Sequence, residues 1–381
     1  MNVAILGSGA AGLYLAILLK KNNPSYSVTV FDKEDKLAKK LHATGNGHCN
    51  LLNKKLLANK YNHPEFMKPI LREFDYDSLK NELNSIGIAL LENDDYVYPL
   101  SFHAGTYIKY LLSLATSIGV IFKTSSKISS YKKDGDGYLL GEEGYFDKIV
   151  IATGGASSPN LGSDGSFYNE LKKHCYQIEE LRPGLTPLKV KEKVGILQGI
   201  RHKALVKAYN DNKQIFMEEG EVLFKKDGLS GIAIFNAESA IYRCRYVKNP
   251  KVTLDLFPDM SFFALADLIT KAYKNNPNEY LSSIIVPQLA TYVLSISNRN
   301  NFDSLASNLK HITFNVISSY GFNDSQVSIG GVSLSEVTPF LESKKERGIY
   351  FAGEVLDIDG NCGGYNLAWA LISAELVSKH I

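Results

Sequence analysis

The sequence predicts an α/β chain: a parallel-sheet domain assembled from both ends, with a β-rich segment and a small helical insertion between them. Three observations carry this. Val3-Ala4-Ile5-Leu6 runs straight into Gly7-x-Gly9-x-x-Gly12 and a stretch rich in Leu and Ala. A second apolar strand and glycine-rich turn, Phe351 to Asn366, lead into a second helical stretch. Between them the texture changes from short alternating runs to a helical period.

Taken in order, Val3 to Leu6 is fully apolar, as expected of a strand inside a parallel sheet. Ala10 to Lys21 reads as a helix, stopped by Asn22-Asn23-Pro24. Val28 to Phe31 is a second strand, ending at Asp32. Tyr107 to Ile118 reads as a helix before Gly119, and Val120 to Phe122 as a strand. Lys127 to Phe146 resembles a meander with a turn at Asp134-Gly135-Asp136-Gly137. Lys148 to Ala152 returns as a buried strand and enters Thr153-Gly154-Gly155. Residues 185–256 are strand-rich. From Ser261 to about Leu309 the period is helical, with Leu265, Leu268, Ile269 and Ala272 on one face. His311 to Val316 is strand-like again. The stretch from Ile349 is strand, turn and helix, and should rejoin the first sheet.

The 381 residues are enough for two or three domains. A net charge of +2 gives no sign of a nucleic-acid groove or an acidic partner. The cysteines, Cys49, Cys175, Cys244 and Cys362, form no CxxC and no metal-ligand spacing. That argues against a zinc site and against a local redox dithiol, and favours a reduced, cytoplasmic protein. No basic stretch followed by a cleavable apolar segment opens the chain, and no apolar run is long enough to span a bilayer, so neither secretion nor membrane insertion is expected.

The first glycine turn has the physical features of a dinucleotide site. Gly7 permits the tight turn, Gly9 lets the backbone approach a pyrophosphate, and Gly12 lets helix and strand pack closely. The helix N-terminus brings free N–H groups and positive dipole, with Ala10 and Ala11 in its first turn. Asp32, at the end of the second strand, is placed to accept from ribose hydroxyls, and its charge disfavours a 2′-phosphate. A nicotinamide enzyme needs only this turn. The second one, with Gly363 and Gly364 ahead of a helix from about Tyr365 to Lys379, points to a flavin dinucleotide, FAD. That helix dipole would favour negative charge on the reduced flavin. Glu354 and Asp357 are candidates for the ribityl or phosphate region, or caps of the turn.

Lys39-Lys40-Leu41-His42-Ala43-Thr44-Gly45-Asn46-Gly47-His48-Cys49-Asn50-Leu51-Leu52-Asn53 resembles a segment of the YhiN/BaiN-like family of bacterial FAD flavoproteins, which includes aminoacetone oxidase-like enzymes. The likeness continues through Tyr96-Val97-Tyr98-Pro99, Ala152 to Gly155, Pro183 to Leu188, Gly228 to Gly231, Gln326 to Val332 and the C-terminal turn. It implies a Rossmann-type FAD-binding domain formed by both chain ends (residues 1–184 and 325–381). It also implies a β-barrel-like domain (185–256 and 311–324) and a small helical insertion (257–310). The chain departs from the family at His48, where relatives carry Arg, and at Leu52, Ala368 and Ile372-Ser373-Ala374. The His48 change removes a fixed positive charge near the flavin.

The residues expected at the cofactor fall into five groups. The first turn supplies Gly7, Gly9, Ala10, Ala11, Gly12, Asp32 and Lys33. The family segment supplies Lys40, Thr44, Gly45, Asn46, Gly47, Cys49 and Asn50; Lys40 otherwise faces solvent. The third group is Thr153, Gly154 and Gly155, the fourth Gly330 and Gly331. The C-terminal turn supplies Gly353, Glu354, Asp357, Gly363, Gly364, Tyr365 and Asn366. His48 is the candidate acid or base, with a surface hydrogen-bonding role as the alternative. Cys49 and Cys362 are read as packing residues rather than redox thiols, and no metal is expected.

No second GxGxxG lies between residues 150 and 350, so there is no separate nicotinamide domain. The expected function is an FAD-dependent oxidoreductase. Hydride would pass between a small organic molecule, held between the FAD and barrel domains, and flavin N5. Amine oxidation by oxygen and reduction of an activated double bond both remain open, with NAD(P)H or oxygen as transient partner. The alternatives are a flavin-binding module with a partner-interaction or RNA-modification role, and a nicotinamide-only enzyme, which leaves the C-terminal turn unexplained.

Overall fold

The computed structural model describes residues 1–298 and 301–381. They divide into two compact units, residues 1–183 with 322–381, and residues 184–321.

The first unit is built on a five-stranded sheet in the order Ile349–Phe351, Lys148–Ile151, Asn2–Leu6, Ser27–Phe31, Ile121–Lys123. Every neighbouring pair is parallel. The chain's two ends thus share one sheet, as the sequence predicts. Val3 to Leu6 and Val28 to Phe31 are wholly buried, which is why their sequence shows no alternation. The first helix, Ala10–Asn22, buries every residue from Ala11 to Leu19. The last, Tyr365–Ser378, is buried nearly all round, Trp369 included. Each fully buried large side chain contributes about 1.5–3 kcal/mol. Strand Asn2–Leu6 has Ser27–Phe31 on one side and Lys148–Ile151 on the other, so the chain order reverses at its carboxyl end. That is the place in an open α/β sheet where ligands bind.

Around this sheet lie elements the sequence did not announce. Helices Pro64–Glu73 and Tyr76–Ser85 follow the family segment, the second capped by Asp75, whose Oδ1 accepts from Ser78 N (2.8 Å). A small antiparallel sheet joins Leu52–Asn53, Tyr96–Pro99 and Leu90–Asn93. The expected meander is present, although its strands cover only Lys132–Asp134, Gly137–Leu139 and Tyr145–Phe146.

The second unit is a closed barrel in the order Leu188–Val190, Gly228–Ser230, Lys213–Phe224, Arg201–Asn210, Lys251–Asp255, Ile312–Ser319. Alternation is plain along Arg201–Asn210, where Ala204, Val206 and Ala208 are fully buried. One segment of the strand-rich stretch is instead a helix, Ile232–Tyr242. It is buried on most sides, so it carries no amphipathic stripe to betray its period. Three helices, Phe262–Asn275, Pro287–Ile296 and Phe302–Lys310, precede the last barrel strand. The face expected on the first of them needs correction: Leu265 and Ile269 are buried, whereas Leu268 is 38% exposed. The helical stretch expected over 261–309 includes residues 299 and 300, which lie outside the described residues. Among the described residues no helix is long and apolar enough to cross a membrane, and no cluster of His, Cys, Asp or Glu could hold a metal ion.

Candidate cofactor site

The three glycines of the first turn have separate jobs. A Cβ on Gly7, whose φ is +107°, would lie 2.4 Å from the Ala152 carbonyl oxygen. A Cβ on Gly12 would lie 2.0 Å from the Gly7 carbonyl oxygen and 3.2 Å from Ile5 Cγ2. Protein backbone fills both places. A Cβ on Gly9 would meet nothing within 4 Å. Gly9 is also the N-cap of the first helix, and no side chain caps it. An open space beside an uncapped helix N-terminus is a cradle for a phosphate group.

Asp32 is held more tightly than the sequence suggested. Its Oδ2 accepts from Ser8 N (2.9 Å) and from the Ser8 hydroxyl, and its Oδ1 accepts from Glu34 N (2.9 Å). An ionised carboxylate has about four acceptor sites, so about one is left for a ribose hydroxyl. Ser8 Oγ in turn accepts from Ala38 N (3.0 Å). Sequence reasoning missed this brace; its only signal was a serine inside the glycine motif. Lys33 pairs with Asp164 (2.6 Å).

Lys40 faces neither open solvent nor an empty anion pocket. Its Nζ pairs with Glu354 Oε2 (2.7 Å) and donates to the Ser157 hydroxyl. Glu354 Oε1 accepts from Ser157 Oγ (2.8 Å) and Ser328 N (2.8 Å), and Ser328 Oγ accepts from Ala156 N (2.7 Å) and Ser157 N (3.0 Å). This network ties four remote segments together beside Thr153 and Gly154. It also explains Gly155, where a Cβ would lie 2.4 Å from Ser328 Oγ. Gly330 and Gly331 are pressed against protein: a Cβ on the first would lie 2.3 Å from the Glu180 carbonyl oxygen, on the second 2.7 Å from that of Val355.

The family loop is a run of left-handed residues. Gly45, Asn46, Gly47 and Cys49 all have φ between +53° and +87°. Two of the four are not glycine, and such conformations cost of order 1–3 kcal/mol unless the surroundings enforce them. Here Cys49 N donates to Thr44 O (3.0 Å), and Thr44 Oγ1 donates to Leu41 O (2.7 Å). The Asn50 amide, oriented to satisfy both its ends, donates to Leu52 O (3.0 Å). The His48 ring stacks on Phe102 with centroids 4.0 Å apart, and its Nδ1 lies 2.9 Å from the Phe102 carbonyl oxygen. Nδ1 therefore carries the hydrogen, and Nε2 is the nitrogen that can take or give a proton.

Cys49 is fully buried, and burial pushes its thiol up to about 12. In the native protein Cys49 is expected to resist iodoacetamide at pH about 8, while exposed Cys175 reacts. Mass mapping of the labelled peptides checks this; rapid native labelling of Cys49 would contradict it.

The C-terminal turn is locked to the family segment by backbone contact. Gly363 and Gly364 have φ of +117° and +94°, and a Cβ on Gly364 would lie 2.4 Å from the Leu52 carbonyl oxygen. Asn53 Nδ2 donates to Gly363 O (2.9 Å), and Tyr365 OH to Lys55 O (2.7 Å). Asn366 pairs with both backbone groups of Gly360, each at 2.8 Å. The last helix, like the first, has no side-chain N-cap. The two meet near Gly353, where a Cβ would lie 2.9 Å from Ala11 Cβ. Gly353 N donates to Ser373 Oγ (2.8 Å), and Gly353 O accepts from Trp369 Nε1 (3.1 Å). Asp357 accepts from Asn62 Nδ2 (3.1 Å) at Oδ1 and lies 2.8 Å from His63 Nε2 at Oδ2. Sequence reasoning missed the bracing by Asn53, Asn62, His63, Ser157, Ser328 and Ser373, because their partners are remote in sequence.

The model of the HI0933-like protein Rossmann domain matches residues 1–380. The 3-dehydro-bile acid delta(4,6)-reductase of Clostridium scindens is 30% identical over 404 residues, covering 99% of this chain and 98% of that protein. The ribosomal RNA dihydrouridine synthase of Escherichia coli is 27% identical over 391 residues, covering 97% and 95%. Its namesake from Haemophilus influenzae is 26% identical over 400 residues, covering 97% and 96%.

Proposed function

This chain belongs to the HI0933-like family and is an FAD-dependent oxidoreductase, and on that premise we propose that it reduces a carbon–carbon double bond conjugated to a carbonyl. The observation that carries the cofactor part is the open cradle at Gly9, set among glycine positions that protein fills. The residues that would hold FAD are Gly9 to Gly12 and the remaining acceptor site of Asp32 at one end, and Gly45 to Gly47 with Gly363 to Asn366 at the other. Bound there, FAD supplies an electron pair as hydride from N5.

The names of the relatives support reduction as the direction of reaction. One is named for reducing the Δ4,6 bonds of a 3-dehydro bile acid, two for making dihydrouridine. In a 3-oxo-Δ4,6 compound and in a uracil ring alike, the bond that becomes saturated is conjugated to a carbonyl. Saturation also needs a proton, and His48 Nε2 is our candidate donor. The Phe102 carbonyl fixes the ring through Nδ1, and the Phe102 stack holds its plane. NAD(P)H, docked transiently, is the proposed source of the electrons. A second reading, a uracil within RNA as substrate, rests on the two synthases; the net charge of +2 makes a small conjugated molecule the first choice.

The test is an anaerobic titration. The purified flavoprotein is photoreduced, then mixed with a 3-oxo-Δ4,6 steroid, a uridine-containing ribosomal RNA fragment, or buffer. Return of the oxidised-flavin spectrum with a conjugated acceptor, and a product two hydrogens heavier, is the expected result. Indifference to both acceptors, with fast peroxide formation in air, would overturn the reading in favour of an oxidase.

A further inference from the structure

The backbone ahead of the last helix is held from outside by residues 60–63. Asn62 N donates to Asp359 O (3.0 Å), Asp359 N to Asn62 Oδ1 (3.1 Å), and Asn361 N to Lys60 O (2.9 Å). Tyr61 and Gly360 form an antiparallel bridge, and Tyr61 OH donates to Tyr365 O (3.0 Å). These bonds are neutral; Asn62 Nδ2 also donates to Asp357 Oδ1 (3.1 Å), and one further rung ends the ladder. That rung is His63 Nε2 against Asp357 Oδ2 at 2.8 Å, and it carries charge when the imidazole is protonated.

We propose that His63 and Asp357 form a charge-paired clasp, which keeps the glycine turn before the last helix in its FAD-holding shape and makes FAD retention depend on the charge of His63. The inference rests on the FAD reading above. His63 acts here as a positioning residue, through Asp357 and the backbone it carries, with no contact to the cofactor required.

The surroundings favour the imidazolium. Asp357, in direct contact, and the nearby charges of Asp359 and Glu179 all favour the charged ring. Against them stand partial burial and the N-terminus of helix Pro64–Glu73, where His63 is the N-cap and the dipole opposes a cation. The direct bond to Asp357 dominates, and the His63 pKa lies above its ordinary value. The pair therefore carries its charge below that raised value and loses it as pH rises through it.

The experiment follows FAD release from the purified holoprotein after dilution, by flavin fluorescence, from about pH 5.5 to about pH 9. Wild type should lose FAD on the order of tenfold faster at the alkaline end, where a charge-assisted hydrogen bond gives way to a neutral one. His63→Gln should release it fast at every pH, with the pH dependence gone. Asp357→Asn should behave likewise, and circular dichroism of both variants reports whether they fold. A His63→Gln profile that keeps the wild-type pH dependence overturns the clasp while leaving the FAD reading intact. A folded wild-type protein that neither carries nor takes up FAD overturns both.

Discussion

Gly9→Ala is expected to leave the apoprotein folded and to cost it FAD. The Gly9 backbone is at φ −64°, which any residue adopts, and a Cβ there meets no atom within 4 Å. Its effect on apoprotein stability should stay within roughly 0.5 kcal/mol, as for substitutions away from packed features. A methyl group in the cradle keeps a pyrophosphate off the helix N-terminus, and FAD should bind on the order of 100-fold more weakly, about 3 kcal/mol. Gly12→Ala is the contrasting case. Its Cβ would sit 2.0 Å from the Gly7 carbonyl oxygen. Helix and strand must separate to admit it, at about 1–3 kcal/mol or more in stability. Urea melts of the apoproteins, paired with FAD titrations, separate the two. Equal destabilisation by both substitutions would show that the space beside Gly9 is needed by the protein itself.

The second large effect lies where the first and last helices touch. Tyr14 OH donates to Glu375 Oε1 at 2.7 Å, inside the core. Burial raises the Glu375 pKa above its ordinary value, and the Tyr14 hydrogen bond opposes that rise. A raised native pKa means the folded state holds the proton more tightly than the unfolded one. The stabilisation is complete below about 4.5, the unfolded value, and is lost as pH climbs through the native pKa. Tyr14→Phe removes the donor and leaves a buried carboxyl short of a partner, at about 1–3 kcal/mol. The loss should grow with pH, because the charged form suffers most. Glu375→Gln keeps an acceptor for Tyr14 and cannot ionise, so it should flatten the pH dependence and equal or exceed wild type above neutrality. Denaturant melts across pH check both; a Tyr14→Phe penalty independent of pH would contradict the argument.

The sheet and both glycine turns were legible because local spacing encodes them. A buried strand, a tight turn and a close-packed helix each demand particular residues at neighbouring positions, as Val3 to Gly12 illustrates. The barrel strands were legible through alternation. Helix Ile232–Tyr242 was not, since a helix buried on most sides leaves no stripe. The site was legible in part. Gly7 and Gly12 make the tight turn and the close helix–strand contact that their spacing suggested, the space beside Gly9 is open, and Gly364 admits the Leu52 carbonyl. Gly330 and Gly331 turned out to admit protein backbone, and the carboxylates of Asp32, Glu354 and Asp357 are engaged by Ser8, by Lys40 with Ser157 and Ser328, and by Asn62 with His63. Sequence spacing cannot reveal such partners, because pairs such as Lys40 with Glu354 meet only after the whole sheet has formed.

One strand decides when this protein can first hold its cofactor. Ile349–Phe351 is the outer strand of the nucleotide-binding sheet, and the turn that follows it is pinned to Leu52 and Asn53, residues made long before. The barrel, contiguous in sequence, can close while synthesis continues. The nucleotide-binding unit cannot, because its nascent sheet has an unpaired edge at Lys148–Ile151 until residues 349–351 emerge. The FAD-binding domain is thus completed late in synthesis, and a chain truncated before Ile349 is expected to combine a closed barrel with an exposed sheet edge at Lys148–Ile151.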